Sequence, residues 1–223
     1  MNTLSINEHG VEIVRNIVSH SEMETIKNEV AGFAEDQPGH GIRNADKKLT
    51  SICRLANSNK LMELAKSILG SRPQIVRVIF FDKTPEKNWL VTWHQDKTIA
   101  LSHKAEVNEW GPWSIKDNVH HVQPSLDVLN SMVTFRVHID GADVNNGCLK
   151  VVLKSHMLGI LSQKKIENIT SRESYLCQVN AGDMVIMKPL ILHSSNKSLN
   201  PNHRRVVHIE YSNYKLPGEL SWA

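Results

Sequence analysis

The sequence predicts a mainly β protein: a double-stranded β-helix (a jelly roll, cupin-like) with α-helices flanking it on the N-terminal side. Three observations carry this. Two stretches of helical periodicity precede Pro73, many short runs rich in β-branched and aromatic residues follow it, and turn residues separate those runs. At 223 residues the chain suits one domain with a sizeable core, and no linker-like change of composition divides it. The expected organisation is a single domain over 1–223. It comprises a helical flank at 1–72 and a jelly-roll core at 73–215, the core carrying a lid-like loop at 97–124.

Each element has its own reason. Ser21 to Ala34 has a cap-like serine, acids in the first turn and apolar residues at helical spacing, so it predicts a helix. Ser58 to Leu69 repeats the pattern and stops at Gly70, a residue suited to a helix C-terminus. Pro38, Gly39 and Gly41 mark a loop between them. Strands are expected at Gln74–Phe81, Trp89–His94, Met132–Asp140, Cys148–Leu153, Tyr175–Val179, Met184–Lys188 and Arg205–Tyr211. Asn145-Asn146-Gly147 and Ala181-Gly182-Asp183 are turns.

Composition bounds the function classes. A hydrophobic share of 40% and a charged share of 22% are those of an ordinary globular protein. The net charge of +3 comes without any basic run, so nucleic acid is not an expected partner. Cys53, Cys148 and Cys177 form no C-x-x-C and are read as free thiols in a reducing compartment. No charged-then-apolar leader and no apolar run of membrane length is present, so a cytoplasmic protein with no membrane partner is expected.

The chemistry is carried by His94-Gln95-Asp96, by His193, and by Arg204 eleven residues further on. On a strand, His94 and Asp96 at i and i+2 point to one face while Gln95 points away, so both can serve one ion. Two imidazoles and a carboxylate form the facial triad of non-haem iron(II) oxygenases, which leaves positions open on the metal. A guanidinium can hold a carboxylate through two parallel hydrogen bonds, which suggests 2-oxoglutarate as co-substrate. Arg204, Val206 and His208 share one strand face and Arg205, Val207 and Ile209 the other, so spacing alone leaves both arginines open.

Trp93-His94-Gln95-Asp96, Asn146 through Val152 running to Ser155-His156, the Ala181-Gly182-Asp183 turn, and His193 through Arg205 come in the order found in one family. Together, over about residues 75–212, they resemble the phytanoyl-CoA dioxygenase family. The resemblance implies a jelly roll with iron(II) at His94, Asp96 and His193, Arg204 on the distal carboxylate of 2-oxoglutarate, and dioxygen as oxidant. It also implies oxidation of a C–H bond of a small molecule, most simply hydroxylation, with succinate and carbon dioxide as co-products. Related halogenases replace the carboxylate ligand by a small residue, so Asp96 favours hydroxylation, or desaturation, epoxidation or ring formation by the same oxidant, over halogenation. The chain departs from the family where Leu153-Lys154 stands in place of Pro-Gly, and its short N-terminal part leaves little room for an acyl-CoA site.

Further candidates surround this set. In Met132–Asp140, Val133, Phe135, Val137 and Ile139 make an apolar face, with Thr134, Arg136, His138 and Asp140 opposite. If the polar face lines the barrel, Arg136 is an anion clamp and His138 a neighbour of the metal or substrate; if not, that face is wet. Trp113 and Lys116, in the 97–124 segment, are candidate substrate contacts under a lid, against the alternative of a loop packed as structure. Gln95 is expected to hydrogen-bond structurally and Trp89 and Trp93 to lie in the core, while Phe81 and Lys83 are read as core packing and a solvated lysine against the alternative of contact with co-substrate or substrate. Two rival readings differ in class: a cupin-like module that binds metal without oxygenase activity, and a nucleic-acid demethylase, which would need a basic groove with stacking aromatics.

Overall fold

The structure, a computed structural model, describes residues 4–34, 41–170, 173–199 and 202–223. In chain order it forms α1 Ile6–His9, β1 Val11–Val14, α2 His20–Ala34, β2 Gly41–Arg43, α3 Ala45–Lys48, α4 Thr50–Ala56 and α5 Asn59–Leu69. There follow β3 Gln74–Lys83, β4 Val91–His94, β5 Ile99–Leu101, β6 Trp113–Lys116, β7 Val119–Val122, α6 Leu126–Asn130 and β8 Met132–His138. The last part holds β9 Leu149–Val151, a 3-10 turn at Ser155–Leu158, α7 Gln163–Thr170, β10 Tyr175–Cys177, β11 Met184–Met187, β12 His193–Ser195 and β13 Arg204–Ser212.

Two antiparallel sheets make the roll. The major sheet runs β1-β11-β8-β13-β3-β2 and the minor sheet β10-β9-β12-β4. Strand alternation gives each face of the major sheet its own job. On the outer face Val78, Phe80, Val133, Phe135, Val137, Val207, Ile209 and Tyr211 are buried in one cluster with Met23, Ile26, Val30, Ile52 and Leu61 of the helices. The Tyr211 hydroxyl donates to the Ala56 carbonyl at 2.6 Å, tying β13 to α4. Between the sheets, Val11, Leu149, Val151, Val185, Met187 and Ile191 form a second apolar cluster. The polar residues of β3, β8 and β13 are thereby left facing inward.

The two predicted helices are present as α2 and α5. The serine that caps α2 is Ser19, whose Oγ accepts from the Glu22 backbone N–H while Glu22 accepts from the Ser19 N–H, a reciprocal capping box. Three features differ from expectation. The 1–72 flank is not purely helical, because β1 and β2 add edge strands to the major sheet by pairing with β11 and β3. Gly41, expected in a loop, opens β2, while Pro38 and Gly39 lie outside the described residues. The 97–124 segment is not a long irregular loop but a three-stranded sheet, β5-β7-β6. Its Ile99, Leu101 and Val122 are fully buried against Val76, Leu129, Met132 and Leu190, so apolar burial gave those short strands a sheet of their own. The three cysteines form no disulfide, and among the described residues no helix is long and apolar enough to cross a membrane.

Candidate active site

A cavity of about 400 Å³ opens between the sheets, lined by residues of both and by the start of the 97–124 segment. The minor sheet supplies the donors. β12 pairs with β4 so that His193 stands opposite His94, and the two rings lie 4.2 Å apart. Asp96 follows on the same face, its backbone N–H held by the Pro189 carbonyl at 2.9 Å. His94 Nε2 lies 3.7 Å from one Asp96 carboxylate oxygen and His193 Nε2 3.6 Å from the other.

The orientation of the rings decides what they can bind. Nδ1 of His94 faces the Thr92 carbonyl at 2.8 Å, and Nδ1 of His193 faces the Ile191 carbonyl at 2.9 Å. Each carbonyl can only accept, so each Nδ1 carries the proton and each Nε2 presents a lone pair. Burial holds the His193 imidazolium down to about 4, so this ring is neutral near pH 7. Burial pushes the Asp96 carboxyl up, but the neighbouring His193, His208, His94 and Arg77 outweigh it and hold the carboxyl well below the usual carboxylate range. Two lone pairs and a carboxylate thus converge with no proton between them, and Asp96 Oδ2 is buried without a hydrogen-bond donor. A divalent cation is the species that relieves this arrangement, and nitrogen and oxygen donors without thiolate suit iron(II). The three residues fit the metal.

The major sheet supplies cations. Arg204 and Lys83 are register partners on β13 and β3, and both are buried. Arg204 Nη1 donates to the Gly147 carbonyl at 2.7 Å; Lys83 Nζ donates to Ser195 Oγ and to the Asn196 carbonyl at 2.9 and 2.7 Å. Burial, then the charges of Arg204 and Arg136, pull the Lys83 ammonium down to about 7. Burial and Arg136 likewise pull Arg204 to about 10. Among the described residues neither side chain has a carboxylate in ion-pair contact, and of the two Arg204 lines the cavity. The Asn146-Gly147 turn sets that arginine: Asp143 Oδ1 accepts from the Asn145 and Asn146 N–H groups, and Gly147 takes φ +74°. A Cβ on Gly147 would sit 2.3 Å from the Asn196 carbonyl oxygen.

Deeper along the same face runs a hydrogen-bonded row. Arg136 Nη1 donates to His208 Nδ1 at 3.0 Å, His208 Nε2 donates to Glu210 Oε1 at 3.0 Å, and Arg77 closes the row with an ion pair to Glu210. Asp96, His208 and Glu210 also approach one another, but both ring nitrogens of His208 are engaged and Arg77 already neutralises Glu210. This row is therefore a charge relay and not a second metal site.

The other sequence candidates fall on both sides of the cavity wall. Arg136 and Lys116 line it. His138 is buried on the inner face but does not line the cavity. Trp113 does not reach the cavity; it packs with the cluster of Ile99 and Val122 and stands edge-on to His120. Gln95 is structural, donating to the Gly159 and Leu190 carbonyls and accepting from the Leu161 N–H. Arg205 pairs with Asp140 through Nε and Nη2, so of the two neighbouring arginines it is Arg204 that lines the cavity. Lys83 is buried, not solvated, and Trp89 lines the cavity, while Trp93 packs beside Leu161 and Leu192. Arg77, Ser195, His208 and Glu210 went unassigned. The signal for two of them was legible: Arg204, His208 and Glu210 share one face of an otherwise apolar strand.

Comparison with known families places this geometry. The family model described as phytanoyl-CoA dioxygenase (PhyH) matches residues 6–206. The chain belongs to the phytanoyl-CoA dioxygenase family. Comparison with curated protein sequences gives no significant match. Among solved structures, AviO1 from Streptomyces viridochromogenes Tue57 is 17% identical, with TM-score 0.71 over 96% of this chain and 94% of its own. The non-heme alpha ketoglutarate dependent epimerase SnoN from nogalamycin biosynthesis is 14% identical, with TM-score 0.73 over 93% of this chain and 77% of its own. HygX from Streptomyces hygroscopicus, crystallised with nickel and 2-oxoglutarate, is 13% identical, with TM-score 0.68 over 93% and 84%. At these identities the likeness establishes the fold.

Proposed function

We propose that the protein is an iron(II)- and 2-oxoglutarate-dependent dioxygenase that oxidises, by hydroxylation in the simplest case, a C–H bond of a small molecule. One observation carries the reading: the lone pairs of His94 and His193 and the orphaned Asp96 carboxylate share a cavity with Arg204, a buried cation with no ion pair among the described residues and with Lys83 as its register partner behind the wall. A metal-binding module without oxygenase activity has no use for that second, cationic receptor.

Residue roles follow from the geometry. His94, Asp96 and His193 hold the metal, with the Thr92 and Ile191 carbonyls fixing the rings so that Nε2 faces it. Arg204, assisted by Lys83 and Ser195, holds the distal carboxylate of 2-oxoglutarate. When bound, iron(II) supplies the oxidising chemistry: dioxygen is consumed, 2-oxoglutarate becomes succinate and carbon dioxide, and the second oxygen atom goes to the product. The protein contributes placement, since an unselective oxidant attacks whichever C–H bond is presented. Phe81, Ile79, Val91 and Leu149 give the cavity apolar walls that exclude water. Similarity of fold leaves the reaction outcome open, as the neighbouring epimerase illustrates; the retained Asp96 argues against halogenation, and hydroxylation is the simplest of the outcomes that remain. The test is succinate release with iron(II), 2-oxoglutarate and candidate substrates. Metal binding without 2-oxoglutarate chelation or turnover would support the non-oxygenase module.

A further inference from the structure

Resting on that function, we propose that the substrate is a small anion whose carboxylate or phosphate-type group is held by Arg136, with Lys97 and Lys116 at the cavity mouth. The side chains lining the cavity include five cations (Arg77, Lys97, Lys116, Arg136 and Arg204) and one carboxylate, Asp96. Three of the charged groups are committed: Asp96 to the metal, Arg204 to the co-substrate, Arg77 to Glu210. Arg136, Lys97 and Lys116 form no ion pair among the described residues.

Arg136 is the decisive one. Its side chain is buried at 8% exposure, with one Nη1 bond to His208 and the Phe81 ring 5.9 Å away. Its Nε is buried without a partner. A buried guanidinium with no counter-ion is destabilising by several kcal/mol, so a fold that keeps one needs a reason outside its own contacts. The nearest carboxylate in the row, Glu210, is taken by Arg77, and His208 stands between, accepting through Nδ1. His208 therefore aims the guanidinium without neutralising it, and the rest of the fork stays available.

Arg136 also rises from a different row of the sheet than Arg204, although its charge still reaches Arg204 and Lys83. It pairs across the sheet with His208, four residues along β13 from Arg204. That is about 13 Å of strand, so the two guanidinium groups arise from separate rows. Lys97 and Lys116 sit where an incoming anion first meets the cavity, and charges so placed raise encounter rates.

The experiment uses protein loaded with manganese(II) and N-oxalylglycine, an unreactive 2-oxoglutarate analogue. Calorimetric titrations compare three probes of similar shape: phenylacetate, phenyl phosphate and the neutral phenylacetamide. At least one anion is expected to bind about tenfold more tightly than the amide, as a charge-assisted hydrogen bond allows. Whichever anion binds more tightly assigns the carboxylate or the phosphate class. Arg136→Gln should erase the preference and leave N-oxalylglycine affinity within about threefold, while Arg136→Lys keeps the charge and part of the preference. The rim variant Lys97→Gln/Lys116→Gln should reduce the preference by a smaller factor, about two- to fivefold. Equal affinity for anions and amide would overturn the assignment, as would an Arg136→Gln variant that loses N-oxalylglycine as severely as Arg204→Gln does. Failure of the wild type to bind manganese(II) and N-oxalylglycine would overturn the underlying function, and this assignment with it.

Discussion

Asp96 answers to two neighbours at once, His94 on one oxygen and His193 on the other, and neither offers it a proton. Replacing it with alanine removes the only anionic ligand from a set of two neutral imidazoles. Asp96→Ala is expected to weaken iron(II) binding by more than about 100-fold, beyond what changes one layer further from a metal cost. Equilibrium dialysis checks this, and retained binding with full turnover would exclude the triad. Arg204 is the second residue-scale case. Truncating one partner of a buried charge pair costs about 2–5 kcal/mol, so Arg204→Gln should raise the Kd for 2-oxoglutarate about 30-fold or more. Iron(II) affinity without co-substrate should stay near wild type. Arg204→Lys should recover only part, because an ammonium does not reproduce the planar fork.

At the scale of elements, the turn before β9 and the strand β12 decide where Arg204 points. The Gly147 carbonyl accepts from Arg204 and, at 2.8 Å, from Ser195 Oγ, and Gly147 sits at φ +74° against the Asn196 backbone. Gly147→Ala should therefore lower stability by about 1–3 kcal/mol through backbone strain. It should also raise the Kd for 2-oxoglutarate, measured by titration, without touching a residue that binds it. Unchanged stability and affinity would show that the turn can shift freely. This turn was legible in the sequence, because Asn-Gly between apolar runs has a local cause. Strand alternation likewise places His94 with Asp96, but it separates Arg204 from Arg205 without choosing between them, and the roles expected of His193 and Arg204 rest on the family resemblance. What escaped was set by distant pairing. β1 and β2 are strands because β11 and β3 offer them edges. Residues 99–122 form a sheet because Ile99, Leu101 and Val122 bury together beside α6 and β8. Lys83 looks solvated until β13 brings Arg204 and β12 brings Ser195 to it.

The whole molecule is a division of labour between two faces of one sheet: apolar outside under the helices, polar inside around the cavity. Two buried histidines, His138 on the inner face and His121 on β7, make the fold sensitive to acid. Burial, with the charges of Arg77, Lys116 and Arg43, holds His121 down to about 4, and burial with Arg136 and Arg204 holds His138 well below its ordinary value. In the unfolded chain both titrate near 6.5. Between about pH 4 and 6.5 the unfolded state therefore binds more protons, so stability rises with pH and is lost as pH falls through that window. The slope is at most about 1.4 kcal/mol per pH unit per histidine. Thermal unfolding of the metal-free protein should show a midpoint clearly lower at pH 5 than at pH 7.5; a flat profile would mean that both rings reach water.

The same division separates machinery from specificity, since the proposed metal ligands sit on or just beyond the strands of the minor sheet and the proposed anion-binding arginines on the major one. The central claim is that both halves meet on one co-substrate. It is tested most directly by adding 2-oxoglutarate to the iron(II)-loaded protein without oxygen and recording the visible spectrum. The account predicts a weak charge-transfer band that saturates with 2-oxoglutarate, is lost in Asp96→Ala and needs far more 2-oxoglutarate in Arg204→Gln. Iron(II) binding with no band at saturating 2-oxoglutarate would contradict it.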